Sequence, residues 1–157
     1  GPFTGPAHRI LLTPQGAPFR QATAERLVER QNLLFLCGRY EGFDERVRSL
    51  VSEELSLGDF VMLGGEVAAM AMLETTVRLV RGVLGNDCSS AEESFSPAQQ
   101  GGLEYPQYTR PLSFRGLSVP EVLRSGDHRT IEDWRAQQAR ERTARRRPDL
   151  VDGGGER

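Results

Sequence analysis

Two stretches decide the fold of this chain: residues 33–42, LLFLCGRYEG, and residues 59–66, DFVMLGGE. Each joins an apolar run to a glycine-bearing loop, and a helical pattern follows. Glycine lets backbone N–H and C=O groups come close to a ligand, and in open α/β sheets ligands bind beyond the carboxyl ends of the strands. The two loops therefore predict a small-molecule site built largely from backbone groups.

The first eighty residues alternate between strand and helix patterns. The predicted strands are residues 9–13, 33–37 and 59–63. The predicted helices are residues 23–30, residues 44–55 with Val47, Leu50 and Val51 on one face, and residues 66–80 with Met70, Leu73, Val77 and Val80 on one face. This alternation indicates a parallel α/β fold.

The second half of the chain has a different organisation. Periodicity is lost over residues 82–113, where Gly, Pro, Ser, Asn and Gln dominate, and a segment of this kind is usually functional or a linker. Residues 119–123 and 130–145 are predicted helices, the second with Ile131 and Trp134 on one side.

Length and composition limit the class of protein. With 157 residues, the chain has enough length for one modest core. The longest apolar stretch, residues 67–73, is too short to cross a bilayer, and no signal peptide opens the sequence. We therefore expect a cytoplasmic protein with no membrane partner. Cys37 and Cys88 are expected to be free thiols, and they form no metal-binding pattern with His8 or His128.

Charge is unevenly distributed along the chain. All 20 basic residues are arginines, and the net charge is −2. Residues 124–147 hold eight arginines and four acidic residues, a local charge of +4, whereas the remainder has a charge of −6. This asymmetry is typical of a C-terminal part that binds a polyanion, although a solvated arginine-rich helix end accounts for it equally well.

Several motifs, in order and at a consistent spacing, resemble bacterial tRNA (guanine-N1)-methyltransferase, the TrmD family. They are LLTPQG at 11–16, CGRYEG at 37–42 with DERV at 44–47, SLGDFV at 56–61, GGE at 64–66, GVLG at 82–85, EESF at 92–95, YTRP at 108–111 and SGDH at 125–128. The resemblance implies a SPOUT-type parallel sheet with a deep trefoil knot, followed by a small all-helical C-terminal domain. It also implies a homodimer that takes S-adenosylmethionine as its cofactor and tRNA as its substrate.

By the same resemblance, three loops would surround the cofactor, with backbone groups holding the adenine. The implied cofactor-binding residues are Leu12, Thr13, Pro14, Gly16, Gly38, Arg39, Tyr40, Glu41, Leu57, Gly58, Phe60, Met62, Gly64 and Gly65. Glycine and small apolar residues leave room for a flat ring. For any one loop, glycines that only turn the chain are the simpler interpretation; three loops that match one family favour the cofactor site.

The implied catalytic residues are Glu93 and Arg78. Methylation of the guanine ring N–H needs a base that removes its proton and a cation that stabilises charge on the neighbouring oxygen. Glu93 takes the position of the family's base, where Asp is usual, and Arg78 takes that of its guanine-contacting arginine. In a shifted alignment, Glu92 instead takes the position of the base. Without the family match, Glu92 and Glu93 are both interpreted as solvated acidic residues of a loop.

Residues of the second half would bind the tRNA. The resemblance implies Tyr108, Arg110, His128 and Arg135 as contacts with the anticodon stem and loop, and the charge pattern adds Arg145, Arg146 and Arg147. Trp134 resembles a family contact, but its spacing from Ile131 favours a core residue. His128 is equally a helix-start residue.

The expected organisation is a knotted cofactor-binding domain over residues 1–85, a linker with the catalytic loop over 86–114, a helical tRNA-binding domain over 115–150 and a disordered tail over 151–157. The expected function is methyl transfer from S-adenosylmethionine to N1 of the guanosine 3′ to the anticodon. Family members begin earlier, with a strand and a glycine-rich loop that closes over the reaction site. The alternative is a noncatalytic RNA-binding module, or an inactive fragment, that retains the fold.

Overall fold

The computed structural model describes residues 6–84 and 93–151. The chain forms two compact units, which we call unit 1, from Gly1 to Asp87, and unit 2, from Cys88 to Arg157. The predicted cofactor-binding domain lies in unit 1, and the predicted helical domain lies in unit 2. The expectations for Cys88, Glu92 and the tail at 152–157 fall outside the described residues.

A three-stranded parallel sheet organises unit 1. Its strands are β1 (His8–Pro18), β2 (Leu33–Cys37) and β3 (Glu53–Ser56), in the order β2-β1-β3. Residue Ile10 of the central strand pairs with Phe35 on one side and with Glu53 on the other. The fully buried apolar run at the middle of β1 is typical of a central parallel strand. The predicted parallel α/β fold is confirmed.

Two helices supply the rest of the core of unit 1. Helix α1 (Gln21–Val28) buries Ala24 and Leu27, and helix α2 (Glu66–Val77) buries Ala68, Met72 and Thr76. The helices pack against each other. The buried cluster that joins them to the sheet consists of Ile10, Leu12, Leu27, Leu55, Ala68 and Met72. Removal of this apolar surface from water is the main stabilising contribution to unit 1.

The third strand lies elsewhere than predicted. Residues 59–63 form a loop, and Val61 and Leu63 are almost fully exposed, so the predicted strand there is wrong. Strand β3 instead lies at the end of the predicted helix 44–55, where Leu55 and Ser56 are buried. The preceding residues, Glu45–Leu50, form a 3₁₀ helix with no buried side chain.

Helix α2 is confirmed, but its buried face is not the predicted one. Met70, Leu73, Val77 and Val80 are all exposed in the single chain, Met70 by 69% of its surface. The buried face carries small or flexible side chains, which allow the helix to approach the sheet closely. The larger apolar residues therefore form a second face, turned away from the core.

Unit 2 is mainly helical. Helix α3 (His128–Arg146) begins after Asp127, whose carboxylate accepts hydrogen bonds from the N–H groups of Arg129 and Thr130. Ala139 and Thr143 form its buried stripe. The predicted helix at 119–123 is a 3₁₀ helix at Glu121–Arg124.

Unit 2 also contains a short antiparallel hairpin. Strands β4 (Ser113–Phe114) and β5 (Leu117–Ser118) pair across a turn at Arg115 and Gly116, both with positive φ. The expectation of an all-helical domain did not include this hairpin. None of the helices within residues 6–84 and 93–151 combines the length and apolar character that a membrane span requires.

A charged cluster centred on Glu53 joins three elements of unit 1. Arg26 of α1 donates two hydrogen bonds to the Glu53 carboxylate, at 2.9 and 2.6 Å, and Nε2 of His8 lies 2.5 Å from the same group. The Arg26 guanidinium is the main cause of a lowered pKa of Glu53, and His8 adds to it. The ionised carboxylate therefore stabilises the attachment of β3 to β1 and α1.

We expect Glu53→Gln to lower the free energy of unfolding at pH 7 by on the order of 1–2 kcal/mol, because the charged hydrogen bonds from Arg26 are lost. A carboxyl group with a lowered pKa stabilises the fold only while ionised. The difference from wild type should thus persist above the ordinary pKa of 4.5 and shrink as the pH falls below it. Urea titrations followed by circular dichroism at several pH values measure this difference.

The matched control is Glu45→Gln, since Glu45 also pairs with an arginine but its side chain is 82% exposed. Its effect should stay within about 0.5 kcal/mol at every pH. Equal effects of the two substitutions at pH 7 would contradict the stabilising role of Glu53.

Candidate functional site

Three loops of unit 1 meet around one cavity. They follow the Leu12 position of β1 and the ends of β2 and β3, and the carboxyl ends of parallel strands lie at the same edge of a sheet. The cavity has a volume of about 510 Å³, within the usual range for small-molecule sites. The convergence of the three loops makes this cavity the candidate binding site.

All but one of the predicted cofactor-binding residues line the cavity. Those that do are Leu12, Thr13, Pro14, Gly38, Arg39, Tyr40, Glu41, Leu57, Gly58, Phe60, Met62, Gly64 and Gly65. Gly16 is the exception. A side chain there would point into the backbone of β3, because a Cβ atom would lie 2.5 Å from the Leu55 nitrogen. Gly16 therefore permits a close contact between two segments of chain.

Hydrogen bonds join the second loop to the third. The N–H of Gly65 donates to the carbonyl of Gly38 at 3.0 Å, and Arg39 pairs with Glu66 at 2.7 Å. The Glu66 carboxylate accepts a hydrogen bond from its own backbone N–H and another from the Arg39 guanidinium. Both contacts lower the pKa of the Glu66 carboxyl, which therefore stays ionised at neutral pH. Gly65 also packs closely, since a Cβ there would lie 3.0 Å from the Cys37 Cα.

Arg48 joins the first loop to the third strand. It donates to the side-chain oxygen of Gln15 at 2.9 Å and forms ion pairs with Glu45 and Glu54. These contacts, together with the bonds between the other two loops, hold the cavity walls without any ligand. Such preorganisation lowers the conformational cost of binding.

The cavity lining combines backbone groups with charged and apolar side chains. Phe60 and Leu63 are exposed at its wall, and Tyr40 is almost fully exposed with a φ of +59°. A large apolar side chain that stays exposed in a folded protein commonly marks a binding surface. These walls suit a flat, mostly apolar ring with a few polar edge atoms.

Several residues that line the cavity were not among the predicted cofactor-binding residues, notably Phe43, Arg48 and Ser56. Phe43 directly follows the second glycine loop, which was an available signal. Ser56 opens the SLGDFV motif, which was also an available signal, whereas Arg48 gave none because the predicted helix over 44–55 concealed the 3₁₀ helix. The Ser56 hydroxyl donates to the Gly58 carbonyl at 3.0 Å and shapes the third loop.

Nucleophilic and metal chemistry have little support at this site. Cys37 is a free thiol, and burial, with a smaller contribution from Glu66, raises its pKa, so the unreactive protonated form dominates. Within residues 6–84 and 93–151, no group of three or more His, Cys, Asp or Glu side chains could hold a metal ion.

The two predicted catalytic residues lie in different units. Arg78 ends α2, is half-buried, and donates its backbone N–H to the Glu74 carbonyl at 3.1 Å. Glu93 is the first described residue of unit 2, is half-buried, and accepts a hydrogen bond at its carbonyl from the Ser96 N–H at 3.2 Å. Both residues are thus fixed by backbone contacts within their own unit.

Aromatic rings and arginines alternate on unit 2. The rings of Tyr108 and Trp134 lie 6.4 Å apart, and the Arg135 guanidinium lies 4.7 Å from the centre of the Tyr105 ring. The Arg135 Nε atom is buried and has no hydrogen-bond partner in the part of the chain that the structure describes. Trp134 is half-buried, as a core residue at this spacing would be.

The remaining predicted tRNA-binding residues differ in exposure. Tyr108, Arg110, His128, Arg145 and Arg146 are exposed, with His128 at the first position of α3. Arg147 is half-buried; it pairs with Asp149 at 2.7 Å and lies 5.9 Å from the Phe95 ring centre. Arg147 therefore has a structural contact that Arg145 and Arg146 do not show.

Comparison with known proteins gives a consistent result. The family model described as tRNA (Guanine-1)-methyltransferase TrmD matches residues 4–153. A tRNA (guanine-N(1)-)-methyltransferase of Sorangium cellulosum is 63% identical over 144 residues, which cover 92% of this chain and 54% of that protein. A protein of the same name from Lactiplantibacillus plantarum is 55% identical, over 94% of this chain and 59% of its own length. Another, from Deinococcus radiodurans, is 57% identical, over 96% of this chain and 53% of its own length. The chain thus spans about half the length of these relatives.

The contact at Gly16 gives a prediction about the site's stability. We expect Gly16→Ala to lower the free energy of unfolding by about 1–3 kcal/mol, because the new Cβ meets rigid backbone at Leu55. The control is Gly58→Ala, whose Cβ would meet only the end of the exposed Phe60 ring. Urea unfolding measures both, and a Gly16 variant as stable as the Gly58 variant would contradict this role.

Proposed function

We propose a function from the family: the chain belongs to the tRNA (guanine-1)-methyltransferase TrmD family. In this proposal it forms part of an enzyme that methylates N1 of the guanosine 3′ to the anticodon in tRNA. The supporting observation is the cavity at the strand ends of unit 1. Its walls contain every implied cofactor-binding residue except Gly16. A chain that had kept only the fold would need no such preorganised cavity.

The cavity fits S-adenosylmethionine as the cofactor. Its volume suits a nucleoside with a short side chain, and a Cβ at Gly38 or Gly58 would crowd the Phe43 or Phe60 ring. In this proposal, backbone groups of the loops at Gly38 and Leu57 hold the adenine edge, and apolar groups cover its faces. When bound, S-adenosylmethionine supplies an electrophilic methyl group.

Glu93 and Arg78 perform the remaining chemistry in this proposal. The Glu93 carboxylate accepts the proton from guanine N1, so that the nitrogen lone pair becomes available. Arg78 stabilises the negative charge that develops on the neighbouring guanine oxygen. The half-buried position of each residue strengthens these electrostatic effects relative to bulk water.

Unit 2 binds the tRNA in this proposal. The exposed arginines Arg110, Arg145 and Arg146 suit phosphate contacts, and the exposed Tyr108 suits stacking on an unpaired base. Arg135 stacks on the Tyr105 ring, which orients its guanidinium for a phosphate or a base edge. Such a substrate places the protein in the cytoplasm.

We also propose a homodimer and the family's trefoil knot. The larger apolar residues of α2, among them Met70 and Leu73, are exposed in the single chain, and a second copy would cover them. The knot of this family is formed from the three loops that here surround the cavity. Dimer formation would also bring parts of two chains to each reaction site.

Removal of the base tests the proposed catalysis. In the full-length protein that contains this chain, Glu93→Gln should reduce methyl transfer to tRNA about 10²–10⁴-fold, because the amide cannot accept the proton. Calorimetry should show unchanged affinity for S-adenosylmethionine and for tRNA. Glu93→Asp should keep or raise the rate, since Asp is the family's usual base.

Glu121→Gln, at an exposed acid of unit 2, is the control and should leave the rate unchanged. A loss of less than about tenfold in Glu93→Gln would exclude Glu93 as the base. Cofactor and tRNA binding by the wild-type protein without any methyl transfer would favour the noncatalytic alternative.

Removal of two arginines tests the tRNA surface. Arg145→Ala combined with Arg146→Ala should weaken tRNA binding and reduce the slope of log K against log salt by roughly 1–2, because fewer counterions are displaced. Cofactor affinity should not change. Arg147 is left intact because its contacts with Phe95 and Asp149 are structural. Arg30→Ala, at an exposed arginine of unit 1, is the control. Equal salt slopes in the wild type, the double variant and this control would show that the arginine run is only a solvated helix end.

A further inference from the structure

Residues 94–104 form a closed loop directly after Glu93, which we call the 94–104 loop. The Glu104 N–H donates to the Ser94 hydroxyl at 3.1 Å, and the Phe95 N–H donates to the Gly102 carbonyl at 2.6 Å. These two bonds bring the start and the end of the loop together. Glu93 is therefore attached to a compact structure at its C-terminal side.

The start of the loop has an unusual backbone conformation. Phe95 has a φ of +70°, a backbone conformation that residues other than glycine rarely adopt. Surrounding contacts must compensate for the conformational free energy that this costs. The Gly102 hydrogen bond and the Arg147 guanidinium near the Phe95 ring are such contacts. Next to it, Ser96 is buried and its carbonyl accepts from the Gly101 N–H.

The hydroxyl of Thr143 attaches this loop to helix α3. Thr143 Oγ1 donates to the Ala139 carbonyl at 2.8 Å and accepts from the Leu103 N–H at 2.9 Å. The loop approaches so closely that a Cβ at Gly102 would lie 2.9 Å from the same oxygen. Because Thr143 is buried, water does not readily replace these hydrogen bonds, and losing them leaves buried polar groups unsatisfied at a cost in free energy.

We propose that Thr143 is a positioning residue for Glu93 and acts through the 94–104 loop. The inference rests on the proposed function, in which Glu93 is the base. A base must lie within a few tenths of an ångström of its productive position, and Glu has one more rotatable bond than the usual Asp. A fixed backbone immediately after Glu93 compensates for that added freedom.

Thr143→Val tests this role, because valine keeps the shape and removes the hydroxyl. In the full-length protein, kcat for methyl transfer should fall about 10–100-fold, since misplacement by about 1 Å can cost 10²-fold. The KM for tRNA and the affinity for S-adenosylmethionine should stay within about twofold. Thr143→Ser, which retains the hydroxyl, should restore kcat. Gly102→Ala, which displaces the loop without changing Thr143, should reproduce the loss.

A double-mutant cycle with Glu93→Gln separates positioning from general destabilisation. If Thr143 acts through Glu93, adding Thr143→Val to Glu93→Gln should cost almost nothing further. An equal loss in both backgrounds, or full activity of Thr143→Val and Gly102→Ala, would overturn the proposal. Should Thr143→Val fail to fold, Gly102→Ala takes its place in the cycle. An active Glu93→Gln protein would refute both the base and this inference, whereas a Glu93-dependent enzyme indifferent to Thr143 would refute the inference alone.

Discussion

Parallel pairing of β1 with strands on both sides is the constraint on which the rest of unit 1 depends. Because β1, β2 and β3 run in the same direction, the irregular segment after Leu12 of β1 and the loops that follow β2 and β3 lie at one edge of the sheet. The buried run of residues 10–12 fixes the central place of β1, since consecutive apolar side chains need cover on both faces of the sheet. The cavity is a geometric result of that pairing, and the glycines at its rim only keep it open.

Elements with a strong apolar pattern could be predicted from the sequence. Strand β2 was predicted with its observed bounds, and β1, α2 and α3 were predicted with shifted ends. Strand β3 could not be predicted from an apolar pattern, because it begins with Glu53 and Glu54. Their charges are compensated by arginines from other elements. Pairing over such sequence distances leaves no local signal. The apolar run at 59–63 resembled a strand because exposed residues at a binding site have the same composition as buried ones.

The candidate site was predicted to a similar extent. Two of its glycine loops are local features that the sequence pattern indicated, whereas the first loop and the individual cofactor-binding residues were implied by the family resemblance. The contribution of Arg48 depends on Gln15 and Glu54, which come together only in the folded chain. Likewise, Arg147 belongs to an arginine run in the sequence, but its contacts with Phe95 and Asp149 give it a packing role. Arginines of one run in the sequence therefore divide into exposed and packed side chains, which composition does not distinguish.

The irregular segment of β1 determines how the cavity can move. Leu12 and Ala17 both pair with Leu55, so β1 contacts β3 before and after an irregular segment over residues 13–16. The floor of the cavity is thus part of the cooperative core, and its amide hydrogens should exchange with solvent only when unit 1 unfolds as a whole. Fluctuations that accompany ligand binding are then expected at the exposed rim near Tyr40 and Leu63. Binding kinetics would depend on these rim fluctuations, with the floor serving as a rigid template.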